Sequence, residues 1–287
     1  MAAVAMPPAE DREAWILARR NYIGGTDVAA IVGKHKYKTA LGVYAEKVLG
    51  VVDDEQSILA MMGLALEPVI RIVVERDTKR PVLPSEFGRH PKFPRLAVNP
   101  DGEFSDEEGC ELKTHGYATK DEWGEEMTDE VPDAYHVQAT WQCGIKGWKR
   151  CYIVAFDRDK GTARYYCVEA NPDYFNSLVT IADRFDREHI LAKVEPKATS
   201  DSDLDIVRTI YRTQETELLI ATDEHDELVA DYMALTPTIA GAKKEQDRIK
   251  AILIQAIGSA QGLKTSHGPV TYKPRNDGVR VFRAPTA

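Results

Sequence analysis

The sequence is poor in cysteine, and its four cysteines include no CxxC pair. Wide spacing of this kind argues against a disulfide framework and against a thiolate-bound iron–sulfur cluster, which needs closely spaced ligands. The histidines at positions 35, 90, 115 and 136 also lack the paired spacing of a zinc site. We therefore expect reduced thiols and a cytoplasmic location.

Long apolar runs are missing as well. No stretch reaches the roughly 18 residues that a membrane-spanning helix needs, and residues 1–15 lack a basic segment followed by an apolar one. We therefore expect no membrane partner and no secretory signal.

The chain lacks an excess of positive charge: 46 acidic residues outnumber 37 basic ones, and the net charge is −9. This argues against an indiscriminate polyanion binder but leaves room for a local basic surface. Residues 33–39 carry such a group, with Lys34, Lys36 and Lys38 around Tyr37. Lys36 is thus a candidate phosphate contact, and a solvated lysine loop is the alternative.

Along the chain, segments whose apolar residues have helical spacing alternate with segments that have strand spacing. Their order predicts an α/β core followed by a helical arm. We place the core at residues 1–198 and the arm at 199–287. The core is predicted to contain helices over the first sixty residues, a helix near 60–77, three strands within 81–114, a helix over 133–145, a strand hairpin and a closing helix.

The arm contains helix formers from 204 to about 258 and ends in a β-hairpin that turns at Asn276, Asp277 and Gly278. Its long helices are predicted to pair as a hairpin broken near Pro237. The amphipathic spacing suits either a coiled-coil-like surface for a partner or packing against the core.

Candidate chemistry lies in the segment NPDGEFSDEEGCELKT, residues 99–114. Alternation in the second strand puts Glu111 and Lys113 on one face, and antiparallel pairing brings Asp101 beside Glu111. Adjacent carboxylates repel unless a proton or cation lies between them, and Mg²⁺ prefers such oxygen ligands. Lys113 could then hold a water or a phosphate oxygen. An exposed ion pair of Lys113 with either acid is the alternative.

Two helical segments add polar groups. Glu67 borders the apolar stripe of its helix, and Pro68 suggests that the helix starts or kinks there, which leaves an N-terminal acid cap as the alternative. Tyr135, Gln138 and Gln142 share one face of the helix near 133–145. The side chains on that face could make polar contacts in a functional site, or the face could be exposed to solvent.

The ordered set of motifs resembles the PD-(D/E)xK nuclease superfamily, and within it the YqaJ-type viral recombinase group that includes the lambda-type exonuclease. It covers about two thirds of the chain and rests on these blocks: YIGGTDVAAIVG with YKTALGVYAEKVLG, GLALEPV, NPDGE, CELKT and YHVQATWQC. The fold it implies is a restriction-endonuclease-like core, a central mixed β-sheet flanked by helices.

The resemblance also implies roles for individual residues. Asp101, Glu111 and the backbone carbonyl of Leu112 would bind metal, and Glu67 would contact a metal or its water. Lys113 would activate the attacking water, and Gln138 would support the site.

At the DNA end, the resemblance implies that Arg19 and Thr26 contact the 5′ phosphate. Arg20 is the alternative to Arg19, because the register is uncertain by one residue. A glycine turn before Thr26 is also typical of a plain capped helix.

The implied activity is Mg²⁺-dependent 5′-to-3′ digestion of linear double-stranded DNA, with two ions per site and Mn²⁺ as a substitute. It would leave 3′ overhangs for a single-strand annealing protein. A homo-oligomer, a ring of three subunits, is the implied assembly, in the cytoplasm of a host cell if the chain is viral. A site-specific or structure-specific endonuclease and an inactive DNA-binding module of the same fold are the alternatives.

Overall fold

The structure is a computed structural model that describes residues 12–51, 58–104, 107–213 and 218–285. It consists of two compact units, Met1–Gln214 and Glu215–Ala287, and the predicted boundary at residue 198 stays a prediction. Among the helices of the described ranges we find none with both the length and the apolar character of a membrane-spanning segment.

The first unit begins with three short helices, α1 (Arg12–Arg19), α2 (Gly25–Ile31) and α3 (Ala40–Tyr44). The chain continues from α3 as a π-helical turn to Leu49. Thr39 caps α3, because its hydroxyl accepts a hydrogen bond from the amide of Gly42 at 3.0 Å. The predicted helical start of the chain is therefore present from residue 12 onward.

Helix α4 (Ile58–Thr78) contains Pro68 in its interior. The expectation that this helix starts at Glu67 is wrong, because the helix already begins at Ile58. A proline removes one backbone donor, and a helix of this length keeps its remaining hydrogen bonds on both sides. Glu67 is consequently a side chain of the helix body and not an N-terminal cap.

Four short strands, not the predicted three, occupy residues 81–115: β1 (Gly88–Arg89), β2 (Ala97–Val98), β3 (Gly102–Phe104) and β4 (Glu108–His115). Strands β1 and β2 form a separate antiparallel pair. The remaining sheet is completed by β5 (Arg150–Asp157) and β6 (Thr162–Glu169), in the order β3-β4-β5-β6.

This sheet is mixed. Strands β4 and β5 are parallel, whereas β3 with β4 and β5 with β6 are antiparallel. A parallel pair needs a long crossover, and helix α5 (Asp133–Lys146) lies within it. The arrangement makes β4, the strand with Glu111 and Lys113, an inner strand of the sheet.

The two faces of β4 pack differently. Cys110 and Leu112 are buried in a cluster with Ile70 and Val74 of α4. A second cluster joins α5 to β5 and β6, and a third joins α2, α3, α5 and helix α6 (Pro172–Phe185). Because side chains alternate along a strand, Glu111 and Lys113 point away from the α4 cluster.

After α6 the chain makes a π-helical turn, Asp186–Leu191, and the first unit then includes helix α7 (Asp203–Ile210). The second unit consists of helix α8 (Asp223–Ile257) and a three-stranded antiparallel sheet, β7 (Gly262–Thr265), β8 (Gly268–Pro274) and β9 (Arg280–Arg283). The turn between β8 and β9 includes Gly278, whose φ of 80° suits glycine. The predicted β-hairpin is therefore present.

The predicted helical hairpin broken near Pro237 is wrong, because α8 runs as one helix from Asp223 to Ile257 with Pro237 inside it. Proline costs the helix one hydrogen bond and some strain. The turns before and after that position continue the same helix.

We expect Ile153→Ala to lower the free energy of unfolding of the first unit by about 2–5 kcal/mol, because the side chain is fully buried in β5 and its loss leaves a cavity. Tryptophan fluorescence during urea unfolding measures this unit, since all four tryptophans lie at or before residue 148. Ile72→Ala is the matched control, as Ile72 is 66% exposed. Equal losses in the two variants would contradict the assignment of Ile153 to the core.

Candidate active site

Asp101 and Glu111 face each other at the start of β3, at the end of the β3–β4 pair away from its turn. The register pairs Gly102 with Cys110, so the residues one step outward, Asp101 and Glu111, are opposite. Asp101 Oδ2 accepts a hydrogen bond from the amide of Leu112 at 2.8 Å, and Glu111 is only 2% exposed. Burial first, and then the negative charge of Glu111, raise the pKa of Asp101 to about 8.

Three side chains bind the Glu111 carboxylate. Lys113 Nζ and Gln138 Nε2 each donate to Oε1 at 2.5 Å, and Gln142 Nε2 donates to Oε2 at 2.6 Å. Gln142 in turn accepts from the thiol of Cys151 at 3.3 Å. The solvent-facing alternative for this face of α5 is therefore wrong, because its two glutamines fix the orientation of Glu111.

Lys113 is held as a cation. Burial lowers its pKa, but Glu111 and Asp101 outweigh burial and leave the pKa above the ordinary value. Its Nζ also lies 5.1 Å from the centre of the Tyr135 ring. An exposed salt bridge on a sheet face is thus excluded, since the carboxylate partner is almost fully buried.

Glu67 approaches the same site from α4. Burial and then the charge of Glu111 raise the pKa of Glu67. One helical turn further on, Arg71 donates a hydrogen bond to the backbone carbonyl of Asp101. Helix α4 therefore contributes a third carboxylate, that of Glu67. Its Arg71 also holds the backbone at Asp101.

These groups line one cavity of about 260 Å³. Seven of the residues expected from the sequence contribute to its lining: Arg19, Thr26, Glu67, Asp101, Glu111, Lys113 and Gln138. Leu112 turns its side chain to the opposite face of the sheet, and its amide contacts Asp101. The structure thus gathers positions from five separate sequence blocks.

Lys36 does not line this cavity. Its Nζ forms an ion pair with Glu122 at 2.8 Å, and the side chain is 61% exposed. Any phosphate contact of Lys36 would therefore be made outside the cavity, on the surface of the unit.

Arg19, and not Arg20, belongs to the cavity. Arg20 lines a different depression of the surface beside Arg95 and Lys193. The phosphate contact predicted for Arg19 stays a prediction, and of the two arginines only Arg19 lines the cavity with Glu111 and Lys113.

Asp27, which supports the site through its ion pair with Arg19, was missed by the sequence-based predictions. It is fully buried, and its carboxylate lies 2.7 Å from Lys38 Nζ, 2.9 Å from Lys47 Nζ and 3.5 Å from Arg19. Burial opposes ionisation, yet the three cations hold its pKa well below the ordinary value. A lone acid before the apolar run VAAIV was the available signal, because such an acid is buried only when paired.

Helix α2 packs closely on α5 at Gly25. A Cβ atom there would lie 3.0 Å from Cγ and 3.2 Å from Cα of Gln138. The absence of a side chain lets the two helices approach, and this places Thr26 and Gln138 on one cavity.

In the part of the chain that the structure describes, no three histidine, cysteine, aspartate or glutamate side chains are close enough to hold a metal ion by themselves. The facing carboxylates of Asp101 and Glu111 still fit a hard divalent cation, because Mg²⁺ binds one or two carboxylates and keeps water or phosphate oxygens as its other ligands. The raised pKa of Asp101 reflects a proton in the place that such a cation would take.

The family model of the YqaJ-like viral recombinase domain matches residues 14–149. An uncharacterized protein of Bacillus subtilis, YqaJ, is 31% identical over 147 residues, which are 50% of this chain and 45% of that protein. The chain therefore spans less than half the length of this relative.

Among solved structures, an alkaline exonuclease from Laribacter hongkongensis superposes with a TM-score of 0.52 and 21% identity, covering 63% of this chain and 93% of that one. A complex of that exonuclease with dAMP gives a TM-score of 0.50 and 18% identity, with 70% and 98% covered. The resemblance seen in the sequence and the predicted fold class are confirmed.

With a chelator present, we expect the free energy of unfolding to fall as the pH rises from about 4 to about 8. The folded state holds a proton on Asp101 up to a pKa of about 8, whereas the unfolded state releases it near 3.8. The stabilisation is therefore complete below the lower value and is lost through the higher one. Between pH 5 and pH 9, wild type should lose about 4 kcal/mol more than Asp101→Asn in the free energy of urea unfolding.

Added Mg²⁺ should reverse this loss at pH 9 in wild type and do so less in Asp101→Asn, because the cation replaces the proton between the carboxylates. Identical pH profiles of the two proteins would contradict the buried pair.

Proposed function

We propose that this chain, whose residues 14–149 match the YqaJ-like viral recombinase domain, is a Mg²⁺-dependent 5′-to-3′ exonuclease. It would digest linear double-stranded DNA and leave 3′ single strands. The observation that carries the proposal is the convergence of Asp101, Glu111 and Lys113 on one cavity. The fold shared with an alkaline exonuclease supports it.

The structure solved with dAMP adds support for the product side of the reaction. A nucleoside monophosphate is what an exonuclease releases at each step. We infer that the cavity of this chain accepts a terminal nucleotide in the same way, with its phosphate near Glu111 and Lys113.

Metal would be held by Asp101 and Glu111 together with the carbonyl of Leu112, and Glu67 would bind it or its water. When bound, the ion or ion pair (Mn²⁺ can substitute) lowers the pKa of a water molecule and offsets phosphate charge. Gln138 and Gln142 hold the Glu111 carboxylate in place from α5.

Lys113 would orient the attacking water or stabilise a phosphate oxygen. Its amine is 2.5 Å from Glu111 and remains charged. A fixed ammonium at this point offsets the negative charge that grows as water attacks phosphorus. Because Lys113 sits on the same strand as Glu111, the two keep their spacing through the reaction.

Arg19 and Thr26, which line the same cavity, would hold the 5′ phosphate. The guanidinium of Arg19 is oriented by Asp27 and by Glu46, at 3.5 and 3.6 Å. Lys36, outside the cavity, would contact the duplex backbone. These contacts give a reason for digestion to begin at a phosphorylated 5′ end.

The proposal extends to partners by family resemblance. The expected assembly is a homo-oligomer, a ring of three subunits around DNA. A single-strand annealing protein would receive the 3′ strand, in the cytoplasm of the host cell.

We expect Lys113→Ala to retain DNA binding and to cut about 10² to 10³ times more slowly, because one charge-stabilising donor is lost. The assay compares 5′-labelled, 3′-labelled and closed circular duplexes with Mg²⁺, with Mn²⁺ and with a chelator. Lys160→Ala is the control, since Lys160 is exposed and outside the cavity.

Release of short 5′-labelled products from linear DNA alone supports the proposal. Equal cutting of circular DNA would instead indicate an endonuclease. No cutting by the wild type with either metal would indicate an inactive DNA-binding module. Full activity of Lys113→Ala would overturn the assignment of the site.

Arg19→Gln should reduce the preference for 5′-phosphorylated over 5′-hydroxyl ends by about tenfold to a hundredfold, because a charge-assisted contact to phosphate is lost. Competition between the two DNA ends in one reaction measures this ratio. Arg20→Gln is the matched control, because Arg20 lies outside the cavity. If both variants keep the wild-type ratio, Arg19 does not bind the end phosphate.

A further inference from the structure

Helix α8 carries an apolar seam with the spacing of a coiled coil. Its members follow alternating steps of four and three residues along one side of the helix, which we call the α8 seam: Leu228, Tyr232, Leu235, Ile239, Ala242, Gln246 and Ile249. This is the a/d repeat of a heptad sustained over three heptads. Tyr232, Ile239 and Gln246 occupy a positions, and the others occupy d positions.

The large apolar members of the α8 seam are exposed. Leu228, Tyr232, Leu235, Ile239 and Ile249 keep between 46% and 75% of their surface. Contiguous exposed apolar surface of this kind is typical of a face that a partner covers.

The small sheet of the second unit packs at the far end of α8. Ile257 of the helix and Val270 of β8 are buried, and Lys250 lies 5.8 Å from the ring centre of Phe282. The seam from Leu228 to Ile249 precedes this contact along the helix. The sheet thus accounts for the last turns of α8 but not for the seam.

We propose that the α8 seam is a homotypic interface, which packs in parallel on α8 of a second copy of this chain. Both helices would carry the same heptad, as a symmetric interface requires, so that each position meets its own equivalent. Gln246 is the single polar a position, and a polar residue at one a position fixes the register at some cost in stability.

Charges beside the α8 seam favour the parallel orientation. In a parallel pair, Glu245 at a g position faces Lys250 at the next e position of the partner strand, and the contact occurs twice. Within one chain, Glu245 binds Arg248 on the outer side of the helix at 2.7 and 2.8 Å. An antiparallel pair with full overlap would instead set Glu245 against Asp231, and like charges repel.

The first test measures the mass of the full-length protein by sedimentation velocity over a range of concentrations. Wild type should form a larger assembly than Leu235→Asp and Ile239→Asp. Each variant should weaken the α8–α8 contact about 100-fold or more, because it places a carboxylate in both helices of the seam, while any ring formed through the first unit persists. Met233→Asp is the matched control, since Met233 is 65% exposed and lies at a b position. A monomeric wild type, or seam variants as associated as the control, would overturn the proposal.

The second test needs no disruptive substitution. Leu228→Cys should form a disulfide with its own equivalent under mild oxidation, since a d position meets itself only in a parallel pair. Met233→Cys controls for random collision, and the parent protein controls for Cys167. Cross-linking at residue 228 no faster than at residue 233 would exclude the parallel pair.

The third test exchanges charge. Glu245→Lys should weaken association about tenfold, and the double variant Glu245→Lys with Lys250→Glu should restore it. If the double variant associates as weakly as Glu245→Lys, the proposed contact between Glu245 and Lys250 is wrong. Nuclease assays of these variants are independent, because the residues described as lining the catalytic cavity all belong to the first unit.

Discussion

The repulsion between two carboxylates, those of Asp101 and Glu111, is the constraint on which the candidate site depends. The β3–β4 register sets them opposite each other, and the nearly complete burial of Glu111 removes the water that would screen them. The chain offsets one charge with Lys113 and leaves the other with a raised proton affinity. The electrostatics of this pair and the proposed metal chemistry therefore have the same origin, because a cation would offset the repulsion.

The rest of the first unit maintains that constraint. The parallel pairing of β4 with β5 requires a crossover, and α5 within it supplies Gln138 and Gln142, which hold both oxygens of Glu111. Close packing at Gly25 then brings α2 and its neighbour Arg19 to the same cavity. Buried Asp27 holds Arg19, Lys38 and Lys47 together. Of these three cations, Arg19 lines the cavity.

The sequence predicted the parts of this arrangement that depend on short-range periodicity. Alternation along a strand was enough to put Glu111 and Lys113 together, and helical spacing was enough to align Tyr135, Gln138 and Gln142. The predictions from sequence failed where a proline lies inside a long helix. Pro68 and Pro237 both suggested a break, and both lie inside continuous helices, because one lost hydrogen bond is small beside the many that a long helix keeps.

The sequence by itself determined the fold class, the facing acids and the lysine, since these follow from residue types at fixed local spacing. Only the tertiary structure decided that Arg19 and not Arg20 reaches the cavity, that Lys36 lies outside it, and that Asp27 is buried among three cations. Those facts depend on how separate elements pack, which no local period encodes. A charged side chain gains its role from partners that are distant in the chain, and folding alone brings them within reach.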